Sequence, residues 1–148
     1  MQSFSDKAWR VEPRWRSSFE RLLGGQLQLA SVPFLYEPFR VSYSPDQRTY
    51  TPDILLPNGI LVEAKGRFTA EDRTKHKLLR SQHPDLDIRI VFQRASTRLY
   101  PTSKTTYGVW CSRHGIPWAE HRIPEAWLAE PGSPDEVLAR WTAKKQNT

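Results

Sequence analysis

Two acidic residues and one lysine have the spacing from which a hydrolytic site can be built. Pro52-Asp53 is followed, after nine residues, by Glu63-Ala64-Lys65. Two carboxylates on one face can hold divalent cations through oxygen ligands and leave positions open for water and a phosphate oxygen. An adjacent ammonium group can orient the attacking water, help to deprotonate it, and stabilise charge on phosphorus. The pattern therefore predicts phosphodiester hydrolysis, although a motif this short also fits a salt bridge on a solvated surface.

The apolar runs that carry these residues predict a β-hairpin, with residues 50–56 and 60–66 joined by Pro57-Asn58-Gly59. A two-residue Asn58-Gly59 turn would place Ile54 opposite Glu63. A three-residue loop ending in a left-handed glycine instead places Asp53 opposite Glu63. We prefer this second register, because a shift of one residue would bury charge. Its apolar face consists of Ile54, Leu56, Ile60, Val62 and Ala64, and its polar face of Asp53, Glu63 and Lys65.

A helix ahead of the hairpin supplies a third carboxylate. Apolar residues recur at helical spacing from Ser17 to about Ala30, behind a capping-box pair formed by Ser17 and Glu20. Glu20 can therefore be interpreted either as a member of the site or as a local capping residue. Gly24-Gly25 weakens the helix, by about 1 kcal/mol for each glycine relative to alanine, so that a bend or an early end can be expected there.

The rest of the chain predicts alternating strands and helices. One strand is predicted over 34–43, and a polar connector over 44–48. Thr69 and Asp72 form a second capping-box pair, which opens a basic helix that ends near His83. The remaining predicted elements are a strand at 87–93, helices at 105–114 and 124–130, and a turn or two of amphipathic helix through Trp141.

Composition indicates a folded protein. The chain has 148 residues, of which 38% are hydrophobic and 11% aromatic, which suits one folded domain rather than a disordered chain. No apolar run approaches the roughly 18 residues of a membrane span, and residues 1–10 lack the apolar region of a signal peptide. Cys111 is the only cysteine, which excludes an intrachain disulfide and a cysteine-based zinc site. We therefore expect a cytoplasmic protein.

The net charge of +6 favours a polyanionic partner such as DNA. Between Lys65 and Lys104, ten basic residues face four acidic ones, an excess that equals the whole net charge. A solvated surface is the alternative interpretation of this stretch. His76, within the basic helix, is interpreted as a surface histidine. The candidate DNA contacts, chosen for their charge and nearness to Lys65, are Arg67, Arg73, Lys75 and Lys77.

A longer stretch of sequence resembles the phage endonuclease I family, the Holliday-junction resolvases of T-odd bacteriophages. The resemblance is carried by residues 49–66, Thr-Tyr-Thr-Pro-Asp-Ile-Leu-Leu-Pro-Asn-Gly-Ile-Leu-Val-Glu-Ala-Lys-Gly, and by residues 83–92, His-Pro-Asp-Leu-Asp-Ile-Arg-Ile-Val-Phe. It extends from about Ser17 to Leu128. The segment up to residue 16 and the tail after residue 130 match least.

The resemblance implies an α/β fold of the PD-(D/E)xK nuclease type, a mixed central sheet flanked by helices, in an intertwined homodimer. It also implies a structure-selective endonuclease that cuts opposing strands of four-way DNA junctions and uses Mg²⁺, with two ions per site and Mn²⁺ as a substitute. By motif match, Asp53 and Glu63 bind metal, Lys65 is the catalytic lysine, and Glu20 is the helix glutamate that completes the metal ligands. In such dimers each site takes the helix glutamate from one chain and the other residues from its partner, and the connector 44–48 would cross between them.

We expect a mobile basic segment at 1–16, a nuclease domain at 17–130 and a partly helical tail at 131–148. Two alternatives to junction resolution stay open. The first is a nuclease of the same superfamily that acts on ordinary, nicked or mismatched duplex, and the second is a non-catalytic DNA-binding dimer. The carboxylates argue against the second, because a binding module has no use for acidic residues placed against phosphates.

Overall fold

The structure is a computed structural model and describes residues 13–45 and 48–146. Its helices are α1 (Ser18–Leu29), α2 (Ala70–Gln82), α3 (Tyr107–Arg113), α4 (Glu125–Leu128) and α5 (Asp135–Gln146). Its strands are β1 (Leu35–Tyr36), β2 (Val41–Tyr43), β3 (Arg48–Tyr50), β4 (Ile54–Leu55), β5 (Leu61–Lys65), β6 (Ile88–Phe92) and β7 (Trp118–Glu120). Residues 1–12, most of the segment predicted to be mobile, lie outside the described residues.

A five-stranded sheet with the order β1-β4-β5-β6-β7 forms the centre of the fold. Strands β1, β4 and β5 pair antiparallel, whereas β5, β6 and β7 pair parallel. This mixed α/β sheet flanked by helices confirms the predicted class of architecture. In the part of the chain that the structure describes, no helix is long and apolar enough to cross a membrane.

The hairpin has the predicted three-residue loop. Ile54 pairs with Val62 and Leu55 with Leu61, which is the preferred register. Gly59 has a φ of 91°, the left-handed conformation that the loop requires, and a Cβ there would lie 2.7 Å from the Ser133 carbonyl oxygen. Turn chemistry and close packing therefore both favour glycine at this position.

Residues 127–132 pack around the tip of this hairpin, and we call this contact the clasp. The Asn58 side-chain amide donates to the carbonyl oxygens of Trp127, at 2.8 Å, and Glu130, at 3.0 Å. A Cβ on Gly132 would lie 2.4 Å from the Asn58 carbonyl oxygen, so the two backbone segments are in close contact. The hairpin is thus anchored at the end opposite its charged residues.

Alternate hairpin residues face two different layers. Ile54 and Val62 pack with Leu23 of α1 on one face, whereas Leu55 and Leu61 contribute to a second cluster on the other. That second cluster also contains residues of α2 and α5, including Leu79 and Trp141. Helix α5 spans 12 residues and is longer than the predicted turn or two.

The single strand predicted over 34–43 is wrong, because the chain forms two strands there. Strand β1 joins the central sheet, whereas β2 pairs antiparallel with β3 in a separate two-stranded sheet. The chain bends between them at Glu37, which has a φ of 45°, and Pro38 follows. Strands β2 and β3 pair on either side of the polar connector predicted over 44–48, whose last residue, Arg48, belongs to β3. Residues 46–47 lie outside the described ranges.

Helix α1 continues through Gly24-Gly25 to Leu29, so an early end is wrong. Gly24 lies beneath the indole of Trp15, and a Cβ at this position would be 2.3 Å from Trp15 Cη2. Trp15 itself packs edge-on against Tyr36, with ring centroids 4.7 Å apart. The glycine therefore allows the segment before α1 to pack against the helix.

Strand β7 was not predicted from the sequence. It has three residues and pairs with β6 from Ile90 to Phe92. Trp118 begins the strand, covers Gly108 and donates its indole N–H to Ser112 Oγ at 2.8 Å. Alternation is too short a signal to identify a strand of this length.

Candidate active site

All four residues predicted to be catalytic lie in one region of a single chain. Glu63 and Lys65 extend from β5, and the Lys65 ammonium lies 3.8 Å from Glu63 Oε1. Asp53 precedes β4, and its Oδ2 accepts a hydrogen bond of 2.9 Å from the backbone N–H of Ala64. Glu20 of α1 is close enough that its charge acts on both Asp53 and Glu63. The fold therefore brings residues that are up to 45 positions apart into one cluster.

Burial and mutual repulsion make the two hairpin carboxylates difficult to ionise together. Burial, then the charge of Glu63, raises the pKa of Asp53 to about 8, against the hydrogen bond from Ala64. Burial also raises the pKa of Glu63, although Lys65 and Tyr50 act in the opposite direction. A cation bound beside these two carboxylates would offset their repulsion and stabilise their ionised forms.

Lys65 is held as a cation by acidic neighbours. Burial alone would lower its pKa, but the charges of Glu63 and Asp72 outweigh that effect and raise it. The Lys65 ammonium donates to Asp72 Oδ1 at 3.1 Å. The site therefore presents a fixed positive charge next to its carboxylates.

Asp72 links the lysine to the start of the basic helix. Its second oxygen accepts from the backbone N–H and hydroxyl of Thr69, each at 3.0 Å, and completes the predicted capping box of α2. Burial would raise the pKa of Asp72, but these bonds and the charge of Lys65 hold it below its ordinary value. The sequence identified the cap, but not this contact with the lysine.

Two tyrosine hydroxyls contact the glutamates of the site. Tyr36 donates to Glu20 Oε1 at 2.5 Å, and Tyr50 donates to Glu63 Oε2 at 2.6 Å. Burial, then the charge of Glu63, raises the pKa of Tyr50 well above its ordinary value, so this hydroxyl keeps its proton. Neither tyrosine was identified from the sequence, because an aromatic residue in a strand usually indicates core packing.

The Glu20 carboxylate is also tied to its own helix terminus. Ser17 caps α1 by accepting from the backbone N–H of Glu20 at 3.0 Å, and its hydroxyl donates to Glu20 Oε2 at 3.0 Å. Capping and membership of the cluster were alternatives in the sequence, but here one residue does both.

The four candidate DNA contacts differ in their surroundings. Arg67 and Lys77 are exposed, whereas Lys75 is half-buried and its charge acts on Glu63. The Arg73 guanidinium donates to the carbonyl oxygen of Phe68 at 2.8 Å, which holds it against the fold. Lys75 is therefore the member of this group with the clearest electrostatic link to the site.

The surface interpretation of His76 is wrong. The ring is 1% exposed and packs against Tyr50 and Phe68, with ring centroids 5.7 and 6.0 Å away. Neither ring nitrogen has a hydrogen-bond partner among the residues that the structure describes. Burial, then the charges of Lys65 and Lys75, lowers the pKa of His76 to about 3. It is a neutral core residue behind the site.

The hairpin acids fit a hard divalent cation by their chemistry. Asp53 and Glu63 offer carboxylate oxygens, which Mg²⁺ prefers, in a place where a positive charge relieves repulsion. Within residues 13–45 and 48–146, no three acidic, histidine or cysteine side chains form a group that could hold an ion. An ion bound to the two hairpin acids would therefore take further oxygen ligands from water or substrate.

Comparisons with known proteins identify the family of this chain. The profile of the phage endonuclease I family matches residues 1–147. The chain is 44% identical over 149 residues to endonuclease I of Escherichia phage T7, covering 98% of this chain and 100% of that protein. It is 46% identical over 119 residues to endodeoxyribonuclease 1 of Enterobacteria phage T3, covering 79% of this chain and 78% of that protein. With a match along almost its whole length and a cluster of buried acids beside a lysine, this chain belongs to the phage endonuclease I family.

Proposed function

We propose that this chain is an endodeoxyribonuclease that resolves four-way and other branched DNA junctions by metal-dependent hydrolysis of phosphodiesters. The observation that carries the proposal is the adjacent pair of acids, the buried Glu63 and the half-buried Asp53, with the Lys65 ammonium 3.8 Å from Glu63. Placing two like charges close together away from water destabilises a fold. Such a pair is therefore typical of a functional site. Family membership supports the same conclusion.

Each residue has a distinct role in this proposal. Asp53 and Glu63 would hold Mg²⁺, with two ions per site and Mn²⁺ as a substitute. Glu20, whose charge already acts on both hairpin acids, would join them as a further ligand when a bound ion draws the three carboxylates together. Bound Mg²⁺ would polarise a phosphate oxygen and lower the pKa of a water molecule. Lys65, which its neighbours hold as a cation, donates hydrogen bonds to the attacking water and stabilises charge on phosphorus.

The basic residues beside the site would hold the DNA backbone. Arg67, Arg73, Lys75 and Lys77 lie on α2 or on the segment that leads into it from β5. Contacts of lysine and arginine with phosphates carry little sequence information, so recognition would depend on the shape of the backbone. The affinity would then fall steeply as salt concentration rises.

We also propose an intertwined homodimer with composite sites. The connector 44–48 lies between two strands that pair with each other, so extending it would let β2 pair with β3 of a second chain instead. Helix α1 and β1 precede the connector, and Asp53, Glu63 and Lys65 follow it. After such an exchange, Glu20 would complete the site of the partner. Two sites related by a two-fold axis can cut both strands within one complex.

Gel assays on a four-way junction and its matched linear duplex test the activity. Purified protein is assayed with Mg²⁺, with EDTA and with Ca²⁺. Paired, symmetric cuts on the junction, abolished by EDTA, are expected. Equal cutting of both substrates would instead indicate a general duplex nuclease, and binding without any cutting would indicate a DNA-binding protein.

A matched pair of variants tests the site. Asp53→Asn should abolish cleavage while junction binding persists, because the change removes a negative charge that faces the phosphates. Asp135→Asn makes the same substitution at an exposed position of α5 and should cut at the parental rate. Parental cleavage by Asp53→Asn would refute the site.

Complementation tests the composite dimer. Glu20→Gln and Asp53→Asn, each inactive alone, should regain about one quarter to one half of the parental activity when they are unfolded and refolded together. Mixed dimers would then contain one site with all its native residues. Sites formed within single chains would stay inactive in any mixture, and that result would overturn the exchange.

A further inference from the structure

The two glutamates of the site are each held by a tyrosine from a different strand. Tyr36 lies on β1 and Tyr50 on β3, and their hydroxyls donate to Glu20 and Glu63 over 2.5 and 2.6 Å. Hydrogen bonds from neutral hydroxyls to carboxylates are short and directional at these distances. Each bond uses one carboxylate oxygen and restricts the rotation of the group; at Glu20 the Ser17 hydroxyl bonds to the other oxygen, so that two donors hold this carboxylate together.

The phenol rings are themselves well anchored. Tyr50 is 4% exposed, and its ring packs edge-on against His76 in the core. Tyr36 packs edge-on against Trp15, and its hydroxyl accepts a hydrogen bond of 3.0 Å from the backbone N–H of Arg16. A donor fixed in this way can impose an orientation on a flexible glutamate, whereas a mobile donor would follow it.

Tyr36 also connects the helix glutamate to the strand next to Asp53. It pairs with Ile54 in the register of β1 and β4, and the next residue, Glu37, donates its backbone N–H to the Asp53 carbonyl oxygen at 2.8 Å. The hydroxyl of Tyr36 therefore sets Glu20 relative to the hairpin and not only relative to α1.

Both tyrosine–glutamate pairs stay intact when segments are exchanged between two chains at the connector. Tyr36 and Glu20 precede the connector 44–48, and Tyr50 and Glu63 follow it. Each tyrosine thus stays on the same chain as its glutamate, in a single-chain site and in a composite one.

We propose that Tyr36 and Tyr50 are positioning residues, whose hydroxyls hold the Glu20 and Glu63 carboxylates in the orientation that receives the divalent cation. This inference rests on the proposed role of these glutamates as metal ligands. Hydrogen-bond partners of metal ligands commonly contribute 10- to 100-fold to metal affinity. Loss of one hydroxyl should weaken cation binding by about 10-fold.

Tyr36→Phe and Tyr50→Phe remove the two hydroxyls and keep the rings. Mn²⁺ binding to each full-length variant is measured from the electron paramagnetic resonance signal of free Mn²⁺, without DNA. A dissociation constant about 10-fold above the parental value is expected for each. Tyr43→Phe is the matched control: the ring lies in the same core cluster as Tyr50, and the hydroxyls that bond to Glu20 and Glu63 in the described residues are those of Ser17, Tyr36 and Tyr50 instead. It should bind Mn²⁺ as the parent does.

Cleavage provides a second readout. The Mn²⁺ concentration that gives half-maximal junction cleavage should rise by the same factor in the two variants, and excess Mn²⁺ should restore the rate. A purely structural role would lower the melting temperature but leave this midpoint unchanged. Parental dissociation constants and midpoints in a variant overturn the inference for that tyrosine.

Asp53→Asn separates this inference from the proposed function. Should Asp53→Asn cut at the parental rate, the site itself is wrong. Should it be inactive at every Mn²⁺ concentration while both tyrosine variants bind Mn²⁺ normally, the site stands and only the positioning role is wrong.

Discussion

Mild acid is expected to destabilise the fold through His76. Burial, then the charges of Lys65 and Lys75, lowers its pKa to about 3 from an ordinary 6.5; Asp72 opposes this shift and Arg80 adds to it. A group whose pKa is depressed by folding stabilises the fold fully above its unfolded pKa, and this contribution is lost as the pH falls. The loss therefore begins near pH 6.5 and continues towards pH 3.

The expected size follows from the two pKa values. One unit corresponds to about 1.4 kcal/mol, so the His76 contribution falls by about 2 kcal/mol between pH 7 and pH 5. Asp53 acts in the opposite direction, because folding raises its pKa to about 8 and its contribution therefore grows as the pH falls. The effect of His76 must accordingly be measured as a difference between two proteins that both retain Asp53.

Urea unfolding of the parent and of His76→Leu, in EDTA at pH 7 and pH 5, makes this measurement. The free energy of unfolding of the variant relative to the parent should rise by about 2 kcal/mol from pH 7 to pH 5. Leu79→Val, at a fully buried position of the same helix, should lower stability by a similar amount at both pH values. A pH-independent difference between the parent and His76→Leu would refute the reasoning.

Three further predictions concern the helices. Gly24→Ala should lower the free energy of unfolding by about 1–3 kcal/mol, because the new Cβ would collide with the indole ring of Trp15. Gly25→Ala places its Cβ in open space and should raise the free energy of unfolding by up to about 1 kcal/mol. Urea unfolding of the two variants compares these effects. Asp72→Asn should slow junction cleavage at least about 10-fold, with little change in junction affinity, because Lys65 loses the carboxylate that holds its ammonium group. Single-turnover assays measure the cleavage rate and binding assays the affinity; a loss of affinity as large as the loss of rate would contradict this prediction. Lys75→Gln should reduce the slope of log affinity against log salt by about 1, and an unchanged slope in filter binding would remove it from the DNA contacts.

Features with local causes could be predicted from the sequence. The register of the hairpin follows from alternation and from one glycine, Gly59, whose conformation the loop requires. The capping box of α2 is likewise contained in four residues, from Thr69 to Asp72. The break between β1 and β2 is different, because Glu37 has a positive φ that its residue type does not favour. Only the following proline marks it.

The candidate site divides in the same way. Asp53, Glu63 and Lys65 belong to one hairpin, so their spacing alone predicts a shared face. The contacts of Tyr36 and Tyr50 depend on how separate strands pack, which no local pattern encodes. His76 stands between Lys75 and Lys77 and so has the pattern of an exposed residue, but aromatic rings from other elements cover it.

The clasp around the hairpin tip has a consequence for the order of events during translation. Asn58 is synthesised 69 residues before Trp127, and the side-chain amide of Asn58 donates to the Trp127 carbonyl oxygen. A nascent chain therefore carries the complete acid and lysine motif long before the segment that anchors the hairpin exists. Contacts between residues so far apart in sequence also form slowly. The tip of the hairpin should accordingly become anchored only late in synthesis, after residues 127–132 have been made.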